Sequence, residues 1–91
     1  MITIDEDVLW NGDFIVFWAN KGAERIRCAA SRKAINRLPG FAAATSQMIG
    51  VRRSQVRDLL APHAIEKIAR DDFAPTTVMK TVYLSHADFQ Q

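Results

Sequence analysis

Apolar positions follow two different periods along the chain, and the change between them divides it. Residues 13–19 (DFIVFWA) alternate with a β period: Phe14, Val16 and Trp18 point one way, Ile15 and Phe17 the other. Apolar side chains on both faces predict a central strand, or one with a face covered by a partner. Residues 24–30 alternate more cleanly, with Ile26, Cys28 and Ala30 inward and Arg25 and Arg27 toward water. Asn20-Lys21-Gly22 reads as the hairpin connection between them, Gly22 taking the positive-φ position. Upstream, Ile2-Thr3-Ile4 predicts a short edge strand followed by an acidic turn at Asp5-Glu6-Asp7. Asn11-Gly12 predicts a turn that joins residues 8–10 to the next strand as a small hairpin.

After Ser31 the period becomes helical. Ser31 is a good N-cap, Ala34, Ile35 and Leu38 share one face, and Pro39-Gly40 ends the helix. Residues 41–49 are alanine-rich and helix-compatible, with Gly50 as a break. Residues 52–61 form a second helical stretch with Val56, Leu59 and Leu60 inward. Pro62 suits the first turn of a third helix, whose stripe is Ile65, Ile68 and Ala69 and which Asp71-Asp72 closes. Pro75 resets the chain, and 77–84 is a β-rich run containing Val78, Val82, Tyr83 and Leu84. The order β-β-α-α-α-β, without repeats, predicts a single α+β domain over 1–91. Its small antiparallel sheet, an N-terminal hairpin plus a C-terminal strand, would pack against about three helices.

Composition narrows the class. A chain of 91 residues holds one hydrophobic core, and 48% hydrophobic with 24% charged residues is globular rather than disordered usage. A single cysteine excludes an internal disulfide framework and fits a reducing compartment. No apolar run approaches the ~18 residues of a membrane span. The first residues are followed by acids, the reverse of a basic signal-peptide start. A cytoplasmic domain with no membrane partner is therefore expected.

The net charge of +2 conceals an asymmetry. Asp5, Glu6, Asp7 and Asp13 precede any basic residue, whereas Lys21, Arg25, Arg27, Arg32, Lys33, Arg37, Arg52, Arg53 and Arg57 crowd the middle against Glu24. The remainder is mildly acidic through Asp58, Glu66, Asp71, Asp72 and Asp88. Two readings follow: a polyanion site, or a basic middle neutralised by the acidic ends within the fold.

A set of short motifs resembles a known family. Val16-Phe17-Trp18-Ala19 leads through the Gly22 turn to an R-I-x-C centre (Arg25, Ile26, Cys28). A Ser-x-x-Ala helix start follows (Ser31, Ala34), then an I-E-x-I-A-R helix (Ile65, Glu66, Ile68, Ala69, Arg70) and the ending TVYLSHADF at 81–89. Together these resemble the small bacterial proteins of domain-of-unknown-function family 1488, over most of the chain from Asp13 to Phe89. The resemblance implies an α+β fold and a long uninterrupted helix, from which Pro62 and the alanine-rich 41–46 depart. No activity or site is assigned to that family, so none carries over.

Catalytic chemistry has no visible machinery. Cys28 lies at an inward strand position, where a thiol is a buried hydrophobe with a raised pKa. Arg25 and Arg27 point away from it. His63 with Glu66, and His86 with Asp88, are close pairs, but three or four converging zinc ligands are not apparent. They read as surface polar residues. Gly12, Gly22, Gly40 and Gly50 are isolated, so no phosphate loop is present, and no Gly-x-Ser-x-Gly elbow occurs. No cofactor and no metal is expected.

Binding surfaces are easier to find. Trp10, Phe14, Phe17 and Trp18 beside Lys21, Arg25 and Arg27 could stack single-stranded nucleic acid. The favoured reading is core or dimer contact, with Trp10, Phe14 and Trp18 as the contact residues. Residues 41–60 also resemble a helix-turn-helix, with Ser46 at the crossing, Gly50 in the turn and Ile49, Val51 and Val56 as anchors. In that motif Arg52, Arg53, Ser54 and Arg57 project from a recognition helix, and the three arginines are the nucleic-acid-binding candidates. Thr45 stands where such a motif usually has an aliphatic residue. The sequence thus predicts a non-enzymatic binding or regulatory domain that self-associates as a homo-oligomer, the alternative being a nucleic-acid-binding module.

Overall fold

A computed structural model describes residues 1–75 and 78–89. Three strands form a meander: β1 (Ile2–Trp10), β2 (Phe14–Lys21) and β3 (Glu24–Ser31). Three helices follow, α1 (Arg32–Ile35), α2 (Ser46–Val51) and α3 (Arg53–Ala69), before β4 (Thr81–Leu84) and a closing 3₁₀ turn at His86–Phe89. The sheet order is β1-β2-β3-β4, with β1, β2 and β3 antiparallel. The α+β architecture is the expected one. Its last strand, however, runs parallel to β3, so the sheet is mixed rather than antiparallel. A crossover through helices returns the chain to the same end of the sheet, and that geometry imposes a parallel pair. The predicted beginning of this strand at Thr77 lies outside the described residues.

The period-two reading of β2 and β3 decides the core. Ile15, Phe17 and Ala19 of β2 and Ile26, Cys28 and Ala30 of β3 are all fully buried on one face. Val82 and Leu84 of β4 join them, in register with Cys28 and Ala30. The acidic segment Asp5-Glu6-Asp7 is not a turn but lies within β1, which bulges between Ile4 and Val8. A bulge absorbs the extra residues while Ile4 and Val8 both stay opposite buried partners, Ala19 and Phe17.

The helical half differs from the periodicity reading in three places. Ser31 caps α1 as expected, accepting from the Ala34 N–H, but the helix stops at Ile35. Leu38 and Phe41 are buried from turns that follow it. The alanine-rich segment is helical only from Ser46, where the Thr45 side chain caps α2 by accepting from the Met48 N–H. Most important, Pro62 lies inside α3 and does not begin a new helix.

Interior proline costs about 3 kcal/mol by removing an N–H donor and crowding the preceding turn. The buried residues of α3 are Val56, Leu60, Ala64 and Ile68, a single stripe at four-residue spacing running past the proline on both sides. Burying a Val, Leu or Ile contributes roughly 1.5–3 kcal/mol each, so a continuous stripe outweighs the break. The helix then ends in a Schellman motif: Asp71 adopts φ 55°, its N–H donates to the Ile68 carbonyl, and the Asp72 N–H donates to that of Lys67. Because Pro62 is exposed, Pro62→Ala restores helix geometry without losing packing. We expect it to raise unfolding stability by about 1–3 kcal/mol, read as a higher urea midpoint with unchanged slope.

Candidate functional site

All three helices lie on the face that carries Ile15, Phe17 and Cys28, and the pleat sends alternate side chains to the other face. The register fixes which residues meet there. Leu9 lies opposite Val16, Val16 opposite Ala29, and Ala29 opposite Tyr83, giving one apolar row across four strands. The next row toward the β2–β3 hairpin is Trp18, Arg27 and Thr81. On the other side Phe14 packs against Tyr83, ring centroids 6.0 Å apart. The small Val16 and Ala29 form the floor of a depression of about 510 Å³, walled by the larger side chains and by Ala74. Leu9, Phe14 and Tyr83 remain 58%, 37% and 41% exposed.

The charged residues of this face divide in an informative way. Arg25 pairs with Asp5 at 3.3 Å and stacks over the Trp18 ring at 5.2 Å. Asp5 in turn accepts a 2.6 Å hydrogen bond from the Asn20 side-chain amide. Arg27, half-buried at the edge of the depression, has no ion-pair or side-chain hydrogen-bond partner among the described residues.

Of the three residues read as dimer contacts, Phe14 and Trp18 lie on the uncovered face and Trp10 does not. Trp10 pairs with Ile15, which puts it on the helix-covered face. Its indole N–H donates to the Ser46 carbonyl at 3.0 Å and to the Ser46 hydroxyl at 3.1 Å. Gly50 belongs to that contact: a Cβ there would lie 3.3 Å from the Trp10 ring, so glycine permits close approach and makes no turn. Phe17, the fourth aromatic, is fully buried.

The helix-turn-helix reading of 41–60 puts a turn at Gly50, which instead lies within α2. Residues 41–45 are not helical, and α2 and α3 meet at the single joint residue Arg52. Helical hydrogen bonds continue on either side of it, from the Arg52 N–H to Met48 and from the Val56 N–H to Arg52. Arg52 and Arg53 are exposed, and the Arg53 guanidinium donates to the Gly50 carbonyl at 2.8 Å. Arg57 is held elsewhere, its side chain only 15% exposed, paired with Asp58 at 2.9 Å and donating to the Glu6 carbonyl. The three arginines do not form a free row.

A second polar group joins α3 to the end of the chain. The Lys67 ammonium, 14% exposed, pairs with Asp88 at 2.9 Å and donates to the Tyr83 carbonyl at 3.1 Å. Burial alone would raise the Asp88 carboxyl. The Ser85 N–H at 2.7 Å and the Lys67 ammonium outweigh it and hold the carboxyl below its usual range. His63 packs against Phe89 at 4.5 Å between ring centroids. Among the described residues no group of three or more His, Cys, Asp or Glu side chains converges as metal ligands. No described helix is long and apolar enough to cross a membrane. No family model, curated protein or solved structure matches the chain.

Sequence pattern set Phe14, Val16 and Trp18 on one side of β2 and turned Arg27 toward water, and the β2–β3 register is what puts the four on one uncovered face. Tyr83 had no such signal, since it joins the face only through the parallel pairing of β4. Leu9 is signalled by the hairpin at Asn11-Gly12, which sets Trp10 opposite Ile15 and so turns Leu9 the other way.

Two measurements follow. Burial pushes the Cys28 thiol up to about 12, so a disulfide reagent at mildly alkaline pH should leave the folded protein unmodified and label it only in denaturant. The lowered Asp88 contributes stability that is full above the ordinary carboxylate pKa and is lost as pH falls through its folded value. Asp88→Asn should accordingly flatten the acid limb of a stability–pH curve, while the two curves stay parallel near neutrality.

Proposed function

We propose that this chain is a non-enzymatic binding domain that self-associates through the uncovered face of its sheet. One observation carries this reading: helices cover one sheet face, and the other presents a row of apolar side chains where an antiparallel meander ordinarily shows polar ones. Four strands and their side chains make a face of roughly 500 Å², of which the apolar row is the centre, against the ~800 Å² per partner of a standard interface. A second copy is the occupant argued for, since each copy presents the same row of apolar side chains and a two-fold contact sets one row against the other. The burial of the one thiol, which raises its pKa and keeps it from acting as a nucleophile, supports a non-enzymatic role. Kinship with domain-of-unknown-function family 1488 is part of the proposal, supported by the Arg25-Ile26-x-Cys28 strand and by a helix unbroken at Pro62.

Nucleic-acid binding has less support, because Arg57 is already engaged by Glu6 and Asp58. Light scattering at increasing concentration should show a dimer for the wild type and a monomer for Leu9→Glu. The variant should lose less than about 0.5 kcal/mol of stability per chain in the monomer, since Leu9 is outside the core. A wild-type monomer at high micromolar concentration overturns the reading. If that monomer also shows salt-sensitive quenching of Trp18 by a single-stranded oligonucleotide, the face is a stacking platform instead.

A further inference from the structure

The open face is not flat, and its shape and charge limit what can fill it. The floor is made by two small residues, Val16 and Ala29, below the walls provided by Leu9, Trp18 and Tyr83. A concave patch laid against its own copy leaves a void under each set of walls, and close-packed interfaces do not keep voids of this size. Arg27 adds a second mismatch. It lies in the row beside the apolar one, so a second copy laid over this face covers Arg27 as well. A guanidinium covered without an acceptor is strongly unfavourable. Arg25 differs, since Asp5 already neutralises it.

We propose that this depression is a binding site for a small amphipathic anion, a monocarboxylate with an aliphatic or aromatic body. The apolar body lies on Val16 and Ala29 against Trp18, and the carboxylate accepts from the Arg27 guanidinium at the rim. The volume of about 510 Å³ lies in the range of small-molecule sites, as does a mainly apolar lining in which Arg27 is the one charged side chain among the described residues. Arginine supplies a planar pair of donors that matches a carboxylate. The site deepens the self-association reading, since the ligand fills the space that two stacked copies would leave.

The two tryptophans provide the test. Trp18 lines the depression, whereas Trp10 is on the opposite face, bonded to Ser46. Decanoate and naphthoate, each titrated below its micelle concentration, should shift the Trp18 indole N–H and Ala29 methyl resonances and leave the Trp10 indole unmoved. Comparing the two probes separates an aliphatic from an aromatic preference. Decanol should bind about tenfold more weakly than decanoate, and Arg27→Gln should remove that difference. Ala29→Phe, which fills the floor and keeps Arg27, should abolish both shifts. Unmoved Trp18 resonances, equal affinity for decanol and decanoate, or an Arg27→Gln protein that still prefers the acid overturns the site. Light scattering on the same samples separates the two readings. A monomer that binds decanoate removes self-association and leaves the site, and a dimer indifferent to decanoate does the reverse.

Discussion

The pairing of β2 with β3 is the constraint on which the rest depends. The ladder runs without interruption from Phe14 opposite Ser31 to Lys21 opposite Glu24. With that register set, every odd-numbered position of β2 from Ile15 to Ala19 faces the helices and every even one faces away. A slip of one residue would send Phe17 and Ile15 to the uncovered side and bring Trp18 inward. The helices, the fourth strand and the depression are all placed relative to this pair.

Covering one face is the task of α3. Its stripe of Val56, Leu60, Ala64 and Ile68 reaches across the sheet, and the length needed for that explains why the helix tolerates Pro62. Polar contacts then attach its two ends to the strands. Arg57 donates to the Glu6 carbonyl in the bulged part of β1, and Lys67 donates to the Tyr83 carbonyl of β4. The first ties α3 to one outer strand and the second to the other. The bulge thus does more than accommodate extra residues, since it turns a β1 carbonyl toward a helix cation.

Part of the charge along the chain is met by local contacts. Arg25 and Arg57 reach the acidic N-terminal strand, Lys67 reaches Asp88, and Lys80 reaches Glu24 at 3.2 Å. The more exposed of these, Arg25 with Asp5 and Lys80 with Glu24, add little stability. Their effect is to remove cations from the pool that a polyanion would meet. Arg27 is different in kind, being half-buried beside apolar side chains and unpaired among the described residues.

Local patterning was enough to determine the β2 and β3 alternation, the inward Cys28, the Ser31 cap and the α+β class. Each rests on a period or a cap encoded within a few neighbouring residues. The same patterning split α3 at Pro62, because proline is a strong local signal against a helix and the opposing signal is burial against a distant sheet. It also made Gly50 a turn, since the approach of Trp10 that requires a glycine comes from 40 residues earlier in the chain. The candidate site was divided in the same way. Phe14, Val16 and Trp18 were legible as one side of a strand and Arg27 as outward, but which side is uncovered, and the joining of Leu9 and Tyr83 to it, come only from pairing with other strands. Direction along a strand is a local property fixed by the pleat, whereas which strands lie side by side, and in which sense, is decided by long-range burial of the opposite face.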